Sequence, residues 1–442
     1  VTGLACSRDE LVALRRDLHA HPELRFTEER TSATIRTAVE ELARRFGVAA
    51  RITEVAGTGL VVEVPAPGAA PHVSGGPRGV VPPAQRRVLL RADMDAYPVT
   101  EETGLPFASG TPGVAHACGH DVHMTVLVGV LAELFANPPA SGTVTALFQP
   151  AEEIPYGQPS GARTVLGEGV LAGSYDAVLG LHSWPDLPAG VLGVNPVISM
   201  AAKDAFRLDI TGRAAHVATA SRGRDAILAA AALVQALHAA LGRSRDAGTA
   251  VGFNIGTITG GASQSQVAPT ASLTGTLRTH EPAVRQRLRT VVEQVAAGTA
   301  TTHDVGIALT WADEMPAVVN DPRLVALAHG LATPELHVVS LPQAPMTADD
   351  FALLTTLGPG LYLKLGSSAP GETEPASLHS AHFQVDEACL DTGITALNRL
   401  TRQVLAHGLT RTTDGAGSLA DLDRLTTSDL TELTTEGTGV TP

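Results

Sequence analysis

The chain has 442 residues, 44% of them hydrophobic, 17% charged and only 3% aromatic. This argues against disorder and predicts two or three domains whose cores are mostly Ala, Val and Leu. A formal net charge of -14 argues against nucleic acid and anionic membrane as partners. Three scattered cysteines, Cys6, Cys118 and Cys389, are too few for a disulfide framework, so a cytoplasmic protein is expected.

No signal peptide is visible at the N-terminus, and no apolar run of bilayer-spanning length is read in the chain. A helix is predicted over Arg8–Ala20, with Leu11, Leu14 and Leu18 on one face and Pro22 beyond its end. A second runs from about Glu28 to Phe46 and stops at Gly47. Strands follow at Leu60–Val64 and Val88–Arg91, separated by a Pro- and Gly-rich stretch, 66–87, read as an exposed loop. Then come a helix near Val122–Phe135 and strands at Thr143–Phe148 and Ala177–Leu181. The alternation predicts an α/β domain built on a mainly parallel sheet.

From about Ser199 the pattern changes to β-α-β-β-α-β, the order of a ferredoxin-like unit: Phe206–Ile210, Asp225–Leu241, Ala250–Ile258, Ala271–Arg278, a helix after Pro282, and Val305–Trp311. The α/β pattern resumes at Asp321 with a helix at Asp349–Thr356, a strand at Leu361–Leu365 and a long helix after Asp386. The expected division is 1–198 and 313–408 for a catalytic α/β domain, 199–312 for an inserted α+β unit with hinge motion, and 409–442 for a flexible tail.

The densest cluster of chemistry is His116-Ala-Cys-Gly-His-Asp-Val-His123. Cys118 and His120 alternate along an expected extended stretch, so both can point one way, with Asp121 as the N-cap of the next helix. A thiolate with an imidazole suits Zn, Mn, Ni or Co; the plainer reading is a buried cysteine among structural histidines. Phe148-Gln-Pro-Ala-Glu-Glu153 delivers two acids past the end of a strand, where open α/β sheets place their sites. Glu152 and Glu153 can both reach one site only if the chain has left the sheet there; one could bind metal and the other move protons. His182 also ends a predicted strand and His379 lies between a strand and the last long helix, positions at element ends that converging ligands require. Asp93 and Asp95 close a hydrophobic strand, from which a carboxylate can hold the far nitrogen of a metal-bound imidazole. In the insert, His216 and Arg278 end strands and could meet an oxyanion and a carboxylate, or simply be surface charge.

The stretches LRRDLHAHPEL, LLRADMDAYP, HACGHDVHM, FQPAEE, LHSWP, GRAAH, GTLRT and LHSAHF, in this order across residues 11–383, resemble the M20 metallopeptidase family, specifically its amidohydrolase branch. The resemblance implies two divalent ions (Mn, Zn, Ni or Co) held by Cys118, His120, Glu153, His182 and His379, with Cys118 bridging. It implies Glu152 as general base, a small-molecule N-acyl amino acid as substrate, and a homodimer formed through the inserted lid. Across that interface His216 would serve the oxyanion and Arg278 the substrate carboxylate. Three departures stand out: Gln266 replaces the usual Asn, no proline follows the lid histidine closely, and Asp349-Asp350-Phe351 replaces Glu-Asp-Phe. Dipeptidase or carboxypeptidase activity is the alternative within the fold, though those branches carry His-x-Asp where this chain has Asp93-Met94-Asp95. A non-catalytic metal-binding homologue is the other.

Overall fold

The computed structural model describes residues 5–65, 82–155, 157–171, 173–334 and 336–409. The loop expected at 66–87 lies outside the described residues except for 82–87, and the tail expected at 409–442 except for Leu409.

Helix α1 (Arg8–Ala20) begins where a reciprocal cap allows it: the Ser7 hydroxyl accepts from the Glu10 N–H, and the Glu10 carboxylate accepts from the Ser7 N–H. Helix α2 (Glu29–Phe46) ends at Gly47, whose left-handed φ of 67° closes it. Next come β1 (Arg51–Val55), β2 (Gly59–Pro65), β3 (Arg87–Asp93), α3 (His120–Ala136), β4 (Thr143–Gln149), α4 (Gly161–Glu168), β5 (Ala177–Pro188), β6 (Val191–Val194) and β7 (Ile198–Met200). The middle of the chain contributes β8 (Ala202–Thr211), β9 (Ala215–His216), α5 (Ala226–Arg243), β10 (Val251–Gly260), β11 (Gln266–Val267), β12 (Thr270–Thr279), α6 (Pro282–His303) and β13 (Gly306–Met315). The last part adds β14 (Val318–Val319), α7 (Pro322–His329), β15 (His337–Ser340), α8 (Phe351–Leu354), β16 (Gly360–Ser368) and α9 (Cys389–His407).

The large sheet has the order β1-β2-β4-β3-β5-β16-β6-β15. Its centre, β4-β3-β5-β16, and the edge pair β6-β15 are parallel, as expected, while β1-β2, β2-β4 and β16-β6 are antiparallel, so the sheet is mixed with parallel pairings in the majority. The reason is connection length: β1 turns directly into β2, and β5 returns into β6 through Ala189 and Gly190, and such short links can only reverse the chain. Strand β3 is buried along its whole length, as a central parallel strand must be. Helix α3 is buried on nearly every side, because it packs against α1, α2, α9 and the sheet.

A second, four-stranded antiparallel sheet has the order β10-β12-β8-β13. Phe206, Leu208 and Ile210 of β8 face α5 and α6 in one apolar cluster, while Arg207 between them is exposed. Helix α5 has the length and apolarity of a membrane span, contrary to the absence expected from sequence. Its buried residues, Ala226, Ala229, Ala230, Leu233, Leu237 and Leu241, recur at helical spacing and belong to that cluster, which is the pattern of a core helix.

Candidate metal centre

The segment carrying Cys118 and His120 is not an extended strand. Gly119 adopts a left-handed φ of 81°, and His120 is the first residue of α3. A Cβ at position 119 would stand 2.7 Å from the Ser183 Cβ, so glycine is needed for both conformation and space. Asp121 is not the cap: it lies inside the first turn, fully buried, its carboxylate 2.8 Å from both Arg15 Nε and His19 Nδ1.

The two acids leave the sheet through a left-handed residue, Ala151 (φ 53°). This unfavourable conformation is held from outside, since the Ala151 N–H donates to Glu28 Oε1 at 2.9 Å. The N–H groups of Glu152 and Glu153 donate to the two carboxylate oxygens of Asp95, at 2.9 and 2.8 Å. Asp95 thereby fixes where both acids start. Its backbone carbonyl does a second job, accepting from His120 Nδ1 at 2.7 Å and leaving His120 Nε2 buried without a hydrogen bond, its Asp93 Oδ2 neighbour lying at 3.6 Å.

His182 is a mid-strand residue, not a strand end, because β5 runs on to Pro188. Strand β3 pairs with β5 only as far as Gly180, so His182 lies just past that pairing, in the crevice at the carboxyl side of the parallel strands. Its Nδ1 lies 2.7 Å from the Ser183 carbonyl and its Nε2 lies 3.4 Å from Cys118 Sγ. On the other side of the sulfur, His379 Nε2 lies at 3.2 Å, and 2.6 Å from Glu153 Oε1. Three sets of donor atoms each fall within 4.8 Å: Cys118, His120 and His182; Cys118, Glu153 and His379; and His120, Glu152 and Glu153. Cys118, His120 and Glu153 each belong to two of them.

The electrostatics of this cluster are those of a site short of positive charge. Burial, reinforced by Glu153, Glu152 and Asp93, pushes the Cys118 thiol well above its usual range. Burial, reinforced by Glu153, Asp349, Asp350 and Asp95, does the same to the Glu152 carboxyl. For His120 burial works the other way, but Asp93, Asp95 and Glu153 outweigh it and hold the imidazole up at about 10. Divalent cations would reverse these terms, and the thiol, imidazole and carboxylate donors, with His120 Nε2 buried and free of hydrogen bonds, fit such ions. The Glu152 carboxylate has no hydrogen-bond or ion-pair partner among the described residues, which makes it the free acid of the cluster.

Residues 89–403 match the model of "Peptidase family M20/M25/M40". The chain belongs to this family. Among its M20 relatives, an N-acetylcysteine deacetylase of Bacillus subtilis (strain 168) is 33% identical over 382 residues, 86% of this chain and 93% of the relative. An N-acetyldiaminopimelate deacetylase of Bacillus pumilus (strain SAFR-032) is 32% identical over 399 residues, 88% of this chain and 97% of the relative. The crystal structure of a Bacillus subtilis protein described as a dinuclear metal binding peptidase from the M20 family superposes with a TM-score of 0.72 at 31% identity, covering 90% of this chain and 98% of that one.

Of the remaining residues singled out from sequence, Arg278 of this M20 chain is expected to serve across a dimer interface; in its own chain burial lowers its pKa, the charges of Glu152 and Glu153 oppose that, and its Nη1 donates to the Met346 carbonyl at 3.0 Å. His216 and Gln266 sit opposite each other on the β9–β11 ladder, exposed, and neither enters a donor group. Asp93 does not orient a ligand through His120; it binds His123 Nδ1 at 2.5 Å and Arg91 Nη1 at 2.7 Å. His123 is in turn complete, since its Nε2 accepts the Ser183 N–H at 2.7 Å. That leaves neither group free for an ion, although with His120 they form another close donor set.

Sequence reading missed several residues around the centre. Arg91, fully buried, joins Asp93, Gln149, Asp350 and the Tyr362 hydroxyl behind the acid pair. Lys364, also buried, faces the Trp184 ring at 4.3 Å and donates to Met200 Sδ at 3.1 Å. Both lie inside otherwise apolar strand runs, LLRAD and LYLKLG, and a lone cation in such a run is the signal that could have found them.

Proposed function

We propose that this chain hydrolyses the amide bond of N-acyl amino acids at a pair of divalent ions held by Cys118, His120, Glu153, His182 and His379. It is a metal-dependent amidohydrolase with a small-molecule substrate. The observation that carries the reading is the Cys118 sulfur lying between His182 Nε2 and His379 Nε2, beside Glu153 and an unpaired Glu152. The ions are Mn, Zn, Ni or Co, cations that accept this mixed sulfur, nitrogen and oxygen set.

When bound, such a pair supplies Lewis acidity to the substrate carbonyl and lowers the pKa of a water towards ~7. Glu152 takes the proton of that water and returns it to the departing nitrogen, and its freedom from other partners suits both transfers. Arg278 receives the α-carboxylate of the amino acid, a group its guanidinium binds with two parallel hydrogen bonds. The deacetylase relatives named above act, by their names, on N-acetylated amino acids, which supports this substrate class.

In this reading residues 199–312 are a ferredoxin-like lid and dimerisation domain inserted between catalytic segments 1–198 and 313–408. His216, which joins none of the donor groups of its own chain, serves the oxyanion of a second copy, with Gln266 beside it. Exposed Val217, Ile227, Leu228 and Ile258 on the same unit, together with β10 as an edge strand of its sheet, support a homodimer there. Against the peptidase alternative stands Asp93, at the position where those branches carry a histidine, whose carboxylate is taken up by Arg91 and His123.

The test is a panel of N-acyl amino acids assayed with added Mn, Zn, Ni or Co. Glu152→Gln should retain both ions and lose at least about 100-fold in turnover. Near-normal activity of that variant would remove Glu152 from the reaction.

A further inference from the structure

The three imidazoles of the centre are not oriented in the same way. His120 and His182 each direct Nδ1 at a backbone carbonyl, of Asp95 and of Ser183, both at 2.7 Å. Such a bond fixes the tautomer and the ring plane, and presents Nε2 to an ion. His379 has no equivalent: its Nε2 faces Cys118 and Glu153, and its Nδ1 has no hydrogen-bond partner among the described residues. Its backbone is also unfavourable, left-handed at φ 65°. Something else must hold this ring.

The ring of Tyr97 is stacked on it, with centroids 3.9 Å apart and planes inclined by 18°. Tyr97 is itself anchored, exchanging backbone hydrogen bonds with Ala115 in both directions at 2.9 and 3.0 Å. The His379 N–H donates to the carbonyl of Ala117 at 2.8 Å. Both rings of the stack are therefore hooked to the short stretch Ala115–Ala117, immediately before Cys118. The segment Asp95–Tyr97 thus serves two of the three imidazoles, one through the carbonyl of Asp95 and one through the face of Tyr97.

We infer that Tyr97 is a positioning residue for His379, its ring replacing the hydrogen bond that fixes the other two imidazoles. A flat ring against an imidazole stops the imidazole from swinging about its Cβ–Cγ bond, and keeps Nε2 turned toward Cys118 and Glu153. The stack also leaves Nδ1 free to meet water, consistent with a side chain that is 38% exposed. The inference rests on the reading of His379 as a ligand.

The test titrates the metal-free full-length protein with cobalt(II), following stoichiometry by calorimetry and the cobalt–thiolate absorption of Cys118. Tyr97→Phe keeps the ring and should bind both ions as the wild type does. Tyr97→Leu and Tyr97→Met, which remove the flat face but keep apolar bulk, should weaken one of the two ions by about tenfold or more. Their metal-free forms should melt where the wild type does. Wild-type cobalt binding by both of these variants overturns the proposal, as does a Tyr97→Phe variant weakened equally, which would assign the effect to the hydroxyl. His379→Ala, measured alongside, should lose one ion. If it keeps both, the ligand reading fails, whatever the Tyr97 variants do.

Discussion

Cys118 is the residue on which the centre turns, because its sulfur lies between donors that come from distant parts of the chain. Its separations in sequence, 64 residues from His182 and 261 from His379, show why spacing alone could not prove the cluster. Cys118→Ala should lower the metal content measured on the desalted protein, since both proposed ions share that sulfur; an unchanged content would take Cys118 off the ligand set. Chemistry at this scale was partly legible in sequence. Cysteine, histidines and paired acids announce themselves by type, and the motif resemblance arranged them. What sequence did not reveal was which group each one uses. Asp95 was read as a carboxylate for an imidazole, yet it gives its carbonyl to His120 and its carboxylate to the N–H groups of Glu152 and Glu153. Tyr97 and His123 were passed over because stacking and hydrogen-bond saturation depend on neighbours that are remote in sequence.

At the scale of elements, the first turn of α3 is clamped to α1. Arg15 and His19 of α1 hold Asp121, and His19 Nε2 reaches Glu101 Oε1 at 3.3 Å. This explains why the capping role predicted for Asp121 fell to Gly119: the carboxylate turned inward to neutralise two buried cations instead of meeting backbone N–H groups. Glu101 carries a testable consequence. Burial raises its carboxyl, but hydrogen bonds from His19, Thr103 and the Ser109 N–H outweigh that and bring it to about 2, against 4.5 for an ordinary glutamate. The charged form is the one stabilised, so the contribution is complete above pH 4.5 and is lost as pH falls towards 2. In urea unfolding, Glu101→Gln should be clearly less stable than wild type at pH 6, and the gap should close across that window; a gap independent of pH would rule out this account. The long elements themselves were readable, because α1, α2 and β3 carry strong periodicity or continuous burial. The short ones, β1, α4, β6 and β15, were not, since a few residues hold too little pattern to stand out from a loop.

For the whole molecule the open question is how His216 and Gln266 meet a centre from which they are absent. If a second copy brings them, then Leu228→Glu should yield a monomer by light scattering. It places a charge on a side chain of α5 that is 59% exposed. That monomer should keep both ions and lose turnover by about 100-fold or more, the cost typical of a missing oxyanion donor. A fully active monomer would refute the shared-site reading.

By itself, the sequence determined the composition of the parts: the α/β alternation, the change of pattern near Ser199, the donors and their family motifs. These follow from local burial and side-chain chemistry, which each segment carries with it. Only the tertiary structure decided the strand order β4-β3-β5-β16, the antiparallel pairings β1-β2, β2-β4 and β16-β6, and the meeting of Cys118, His182 and His379 past the end of β3. Those depend on which strands pair and where each pairing stops, a choice made by contacts between segments far apart in the chain and written in none of them alone.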